Sequence, residues 1–129
     1  MLKVFVYFNL HRKCFSIKAL EGPNKGRVVA HSDKVLLSDG VFKVSEAGRQ
    51  RVLRERKKNV HAGVVGQWLG SLDDELTIER IVYNGTAITY NPYKYATFVH
   101  LYGEHPIKTG RLVALTVNEN KRSHINVWN

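Results

Sequence analysis

The sequence predicts an α+β fold, a predominantly antiparallel β-sheet domain carrying one basic α-helix over about residues 46–58. Three observations predict it. Apolar residues alternate with period two in many short runs, the pattern of strands with two distinct faces. The links between those runs are of hairpin length, and parallel crossovers need a dozen or more residues. A single segment, opening at Ser45, drops the alternation and carries helix start and stop signals.

The elements follow in order. Residues 2–8 read LKVFVYF, apolar on both faces, as in a central strand covered on both sides. Residues 9–13 make a turn, and 14–20 resume alternation and pair back as a hairpin. Residues 21–26 are dense in turn formers. Short strands follow at 27–30 and 35–37, and Asp39-Gly40 reads as a tight turn into a strand at 41–44. Ser45 is placed as N-cap of the helix, with Glu46 in its first turn and Lys57 and Lys58 at the end where cations complement the dipole. The helix is thin in apolar residues (Ala47, Val52, Leu53), so it meets the core along a narrow stripe. Residues 60–65 form an apolar run ended by Gly66, and 67–75 read as a loop anchored by Trp68. Residues 76–83 and 86–90 read as a hairpin around Asn84-Gly85, broken at 91–93. Strands at 95–102, 111–117 and 123–128 complete the reading.

Size and composition bound the function. A chain of 129 residues with 43% apolar content fills one core, so a single domain over 1–129 is expected. The lone Cys14 excludes an internal disulfide. No stretch approaches the ~20 apolar residues that cross a bilayer, and the N-terminus lacks a signal-peptide pattern. A cytoplasmic protein without membrane contact is expected.

Charge is the strongest signal. The formal net charge is +9, which speaks to partners rather than fold. More than half of it comes from residues 43–58, where seven cations stand against two acids. On a helix, Arg51, Arg54 and Lys58 share one face, and Arg49 and Arg56 flank a second. Guanidinium groups fork onto phosphate oxygens, so this run suits a phosphate-bearing partner. Arg49, Arg51, Arg54, Lys58 and His61 are the candidate ligand-binding residues there, joined by Arg111 as a further phosphate ligand and Tyr93 as a stacking partner. The ordinary alternative is a solvated charged face. The loop 22–27 offers small residues with Lys25 and Arg27, an anion-binding pattern that is more commonly a plain hairpin turn. The ring set Tyr83, Tyr90, Tyr93, Tyr95, Phe98 and Tyr102 suits base stacking or an ordinary core; Tyr93 or Tyr95 is expected to face a ligand. Six histidines show no metal spacing. Asp73, Asp74 and Glu75 read as a solvated loop, and Cys14 as buried and inert. No motif names a reaction, so no enzyme activity, catalytic residue, metal or cofactor is expected; a nuclease or phosphodiesterase using His61 or His100 is the catalytic alternative.

The stretches VYFNLHRKCFSIKALEG with GRVVAH, and FKVSEAGRQRVLRERKKNVHAGVVG, resemble a family of small uncharacterised proteins encoded by tailed bacteriophages. The resemblance covers about the first half of the chain and is most distinctive from Gly48 to His61. It implies a phage protein acting in the host cytoplasm and carries over no residue role. Small basic phage proteins without enzymatic motifs counter host functions, by analogy of class. Three readings follow. The first is an anti-defence protein that sequesters a phosphorylated nucleotide as a closed homo-oligomer. The second is a DNA- or RNA-binding protein using the basic helix. The third is an inhibitor that binds a host protein.

Overall fold

The computed structural model describes residues 2–69 and 75–129. The described elements run β1 (Leu2–Asn9), β2 (Cys14–Ala19), β3 (Val28–Ser32), β4 (Lys34–Val44), α1 (Glu46–Glu55), β5 (Ala62–Trp68), α2 (Glu75–Asn84), β6 (Thr86–Thr89), β7 (Val99–His100), β8 (Thr109–Val117) and β9 (Ser123–Trp128). All nine described strands join one sheet in the order β3-β2-β1-β5-β4-β8-β9-β6-β7. Every pairing is antiparallel. This is the β-rich α+β fold that the alternation predicts.

β1 lies between β2 and β5, an interior strand of the sheet. Its inward residue Val6 stands opposite Ile17 on one side and Val64 on the other, all fully buried. The sheet curls on this inner face. β2 touches β8 although β1, β5 and β4 lie between them. Phe15 of β2 and Ile88 of β6 share one core cluster with Leu37, Phe42, Val113 and Leu115. The outer face is covered in part by α2, whose Ile78 and Ile81 pack on Leu36 and Ala114.

Several elements depart from expectation. Asp39-Gly40 is not a turn: β4 runs unbroken through 34–44. Asp39 takes φ 51°, and the pairing with β5 shifts register between Ser38 and Val41. This is a bulge that bends a long central strand. Gly66 does not end β5, which continues through Gln67 and Trp68; the rest of the expected loop includes residues 70–74, outside the described residues. Residues 95–102 yield only the two-residue β7.

Residues 76–83 are helix, not strand. Their alternation is broken by Glu79 and Arg80, while Ile78 and Ile81 stand three apart and are both buried, the spacing of one helix face. Asn84-Gly85 is then a helix stop rather than a hairpin. Gly85 N–H donates to the Ile81 carbonyl at 2.7 Å. A Cβ at Gly85 would lie 2.3 Å from that oxygen and 2.7 Å from the Val127 carbonyl oxygen, so only glycine fits.

α1 ends at Glu55 rather than 58. Arg56 takes φ 56° and its N–H closes the helix on the Val52 carbonyl. Geometry demands the early end. Val44 pairs with Ala62, so the chain must return to where it left. Ten helical residues reach about 15 Å, which residues 56–61 span when extended. A helix to 58 would leave three residues to cross ~20 Å. Within its true bounds α1 holds three arginines and two glutamates, so the cationic excess lies mainly in the connection after it. Among the described residues, no helix is long and apolar enough to cross a membrane.

Candidate functional site

Three connections meet at one end of the curled sheet: the β1–β2 turn, the α1–β5 connection and the β8–β9 turn. Two are built by one device. In the first, the Asn9 side-chain oxygen accepts the N–H groups of His11 (3.0 Å) and Arg12 (3.1 Å), and Lys13 closes the turn at φ 55°. In the other, the Asn118 side-chain oxygen accepts those of Asn120 (2.9 Å) and Arg122 (3.0 Å), with Lys121 at φ 60°. An Asn that bonds the backbone ahead of it fixes such turns tightly. Each turn thereby holds the backbone of its cationic residues in place.

Between these turns and the α1–β5 connection runs an open groove of about 500 Å³. Lys13, Lys58, Lys121 and Arg122 line it, with Phe8 and Ser123 at its inner side. All four cations are exposed, and none is ion-paired with a described residue. No acidic side chain appears in the described lining. Like charges lining one groove favour an anion between them.

Phe8 and Ser123 also line a second space, a cavity of about 160 Å³ within the curl. Phe15, Phe98, Tyr90 and Leu115 form much of its wall. Phe8 meets Phe15 edge-on at 5.5 Å. Beside this cavity, His61 Nδ1 lies 2.9 Å from the Asn59 carbonyl oxygen and its Nε2 2.6 Å from the Tyr90 hydroxyl. A carbonyl only accepts, so Nδ1–H donates to it and Nε2 accepts the Tyr90 proton. Burial pushes the Tyr90 phenol up to about 12, in keeping with its role as donor.

The sequence-predicted residues fall in three places. Lys58 lies in the groove. Arg49, His61 and Tyr93 gather around the 90–95 segment. The Arg49 Nε donates to the Pro92 (3.1 Å) and Tyr95 (3.0 Å) carbonyls, and its Nη1 to Glu46 at 3.1 Å. Glu46 is held below the usual carboxylate range by the Gln50 side-chain hydrogen bond first and by Arg49 after it. Arg49 thus clamps α1 to this segment, and its side chain is only 16% exposed. Tyr93 is exposed beside it, at 57%. Tyr95 is half-buried and donates to Glu104 at 2.7 Å, which raises its own pKa. Arg51 and Arg54 are exposed on α1 and do not line the groove. Arg111 lies toward the other end of β8, beside Trp128; residue 117 is roughly 20 Å further along that strand.

The other candidates resolve similarly. In the 22–27 loop, the N–H groups of Lys25, Gly26 and Arg27 donate to the carbonyls of Gly22, Ala19 and Asn24, so these donors are spent within an ordinary turn. Tyr90 and Phe98 pack ring to ring with centroids 5.2 Å apart, while Tyr83 and Tyr102 are exposed at 88% and 84%. Cys14 is half-buried opposite Asn9. Asp73 and Asp74 lie outside the described residues. Among the described residues no group of three or more His, Cys, Asp or Glu is placed to hold a metal. Sequence reasoning missed Lys13, Lys121 and Arg122. Their signal was two short turns, each opened by Asn and closed by adjacent cations, NLHRK and NENKR.

Comparison with known proteins extends the resemblance beyond the first half of the chain. The family model described as the Mycobacterium phage L5 gene 82 protein matches residues 1–123. The gene 82 protein of Mycobacterium phage L5 is 43% identical over 111 residues, covering 81% of this chain and 82% of that protein. No solved structure matches. The match thus takes in the three connections that frame the groove, and the chain belongs to the mycobacteriophage L5 gene 82 protein family.

Proposed function

We propose that this phage protein binds a phosphate-bearing partner, and that the partner is a nucleic-acid strand lying in the groove at the end of the curled sheet. One observation carries the reading: Lys13, Lys58, Lys121 and Arg122 arrive from three separate connections and line one open groove with no acid in its described lining. An open cationic track suits a polyanion that binds by releasing counterions. The net charge of +9 adds long-range attraction to the same partner. A second reading, sequestration of a phosphorylated nucleotide, draws support from the cavity that adjoins the groove. On either reading the protein acts by binding, and the residues that matter are the groove cations rather than a basic helix.

The test is fluorescence anisotropy with a labelled single-stranded oligonucleotide over a range of salt. Four phosphate contacts to a single strand give a slope of log K against log salt near about −3. Lys58→Ala, and Lys121→Ala with Arg122→Ala, are expected to weaken binding and flatten that slope by roughly 0.7 for each cation removed. Binding that ignores salt, or that survives loss of all three cations, overturns the proposal.

A further inference from the structure

Ile78 and Ile81 turn one face of α2 to the sheet, where they pack on Leu36 and Ala114. A helix that buries one face is ordinarily polar on the other. Here Val82 is 38% exposed and Tyr83 88%. Both help to line an open groove of about 960 Å³, larger than the cationic one. Its opposite wall is the Asp33-Lys34 corner between β3 and β4, with Thr116 and Val117 at the end of β8. Both walls are anchored. Lys34 pairs with Thr116, and the Val117 N–H donates to the Asp33 carbonyl at 3.1 Å. The buried isoleucines fix the helix wall.

We infer that this groove is a self-association face: α2 of a second copy of this chain lies along it, and Tyr83 of each copy enters the groove of the other.

Charge selects a second copy. At +9, two copies repel each other through most of their surface. The described lining of this groove is balanced instead, with Asp33 and Glu79 against Lys34 and Arg80. Each wall holds one acid and one cation. A two-fold axis sets the helix wall of one copy against the sheet wall of the other. Arg80 then meets the partner's Asp33, Glu79 meets the partner's Lys34, and both contacts occur twice. Asp33, Glu79 and Arg80 are not ion-paired with a described residue. The two acids also repel phosphates, so a nucleic-acid strand is disfavoured here.

Shape agrees with charge. An isologous interface needs a protrusion and a recess on one self-complementary patch. Tyr83 protrudes beside the recess that it lines. Tyr and Arg are also the side chains that most often dominate interface energy. The described lining, ten residues, is smaller than the roughly 20–30 a side of a standard interface. The dimer is accordingly expected to be reversible, with a dissociation constant on the order of micromolar.

The experiment is sedimentation equilibrium of the intact protein from about 1 to about 500 µM, a range that spans a micromolar constant. It is run at low and high salt, with and without nuclease treatment. The wild type is expected to pass from monomer to dimer and to keep the dimer in high salt, where repulsion between the basic copies is screened. Tyr83→Ser is expected to raise the dissociation constant at least about tenfold. Its ring is exposed, so the unfolding midpoint is expected to stay near that of the wild type. Arg80→Glu is expected to weaken the dimer too, and adding Asp33→Arg to restore it, a rescue that general damage to the fold does not give. A monomer throughout the range overturns the inference. A dimer that ignores both Tyr83→Ser and Arg80→Glu lies on another surface and overturns it as well. An assembly that dissolves in high salt or on nuclease treatment is bridged by nucleic acid; it overturns self-association while supporting the phosphate-binding reading.

Discussion

At the scale of single residues, the chemistry of this protein separates cations that build from cations that are free to bind. Arg49 belongs to the first kind. Its guanidinium satisfies two backbone carbonyls of the 90–95 segment, and charged hydrogen bonds of this type are each worth about 1.5–3 kcal/mol. Arg49→Ala is expected to lower stability by roughly 2 kcal/mol in denaturant unfolding, with little change in the salt dependence of anion binding. Tyr90 supplies a second residue-level expectation. Its phenol titrates near 10 in an unfolded chain and near 12 in the fold, so the fold holds the proton more tightly. Its contribution to stability is complete below pH 10 and is lost as pH rises toward 12. Thermal midpoints measured across that window are expected to fall more steeply for the wild type than for Tyr90→Phe. Lys58 was legible in the sequence because it sits in a dense cationic run. Lys13, Lys121 and Arg122 were not, because they lie far apart along the chain and come together only through the curl of the sheet.

At the scale of elements, strands were read more faithfully than helices. β1, β2, β8 and β9 follow directly from alternation. The helix at 46–55 was recognised through its cap: Ser45 Oγ accepts the Gly48 N–H at 3.2 Å. Its end was not legible, since nothing in Arg56-Lys57-Lys58 signals a stop; the pairing of Val44 with Ala62 imposes one from outside. α2 was misread because its short length and β-branched residues imitate a strand, and only the buried pair Ile78 and Ile81 reveals the helical period. Gly48 shows how tightly α1 is held to the connection that leads into β5. A Cβ there would lie 2.6 Å from that of His61, a backbone-proximal atom that cannot swing away. In a free helix Gly→Ala stabilises by about 1 kcal/mol. Gly48→Ala is instead expected to destabilise by roughly 1–2 kcal/mol in the same unfolding assay, as overpacking does.

At the scale of the whole molecule, the fold class was legible and its closure was not. Short antiparallel links foretold a sheet; they did not foretell that β2 would reach β8 and enclose a cavity beside the basic turns. The groove that brings Lys13, Lys58, Lys121 and Arg122 together is a property of that curvature, which a charge count along the chain does not contain. The centre of the sheet also sets an order of events in time. β4 finds its partner β5 soon after it in the chain, yet its other neighbour, β8, begins only at Thr109. Translation at about 5–20 residues per second leaves that edge of β4 bare for several seconds. Throughout this interval the growing chain displays an unpaired, apolar strand. Ribosome-arrested chains that stop before β8 are accordingly expected to recruit a hydrophobic holdase in crosslinking assays, and chains extending through β9 to release it.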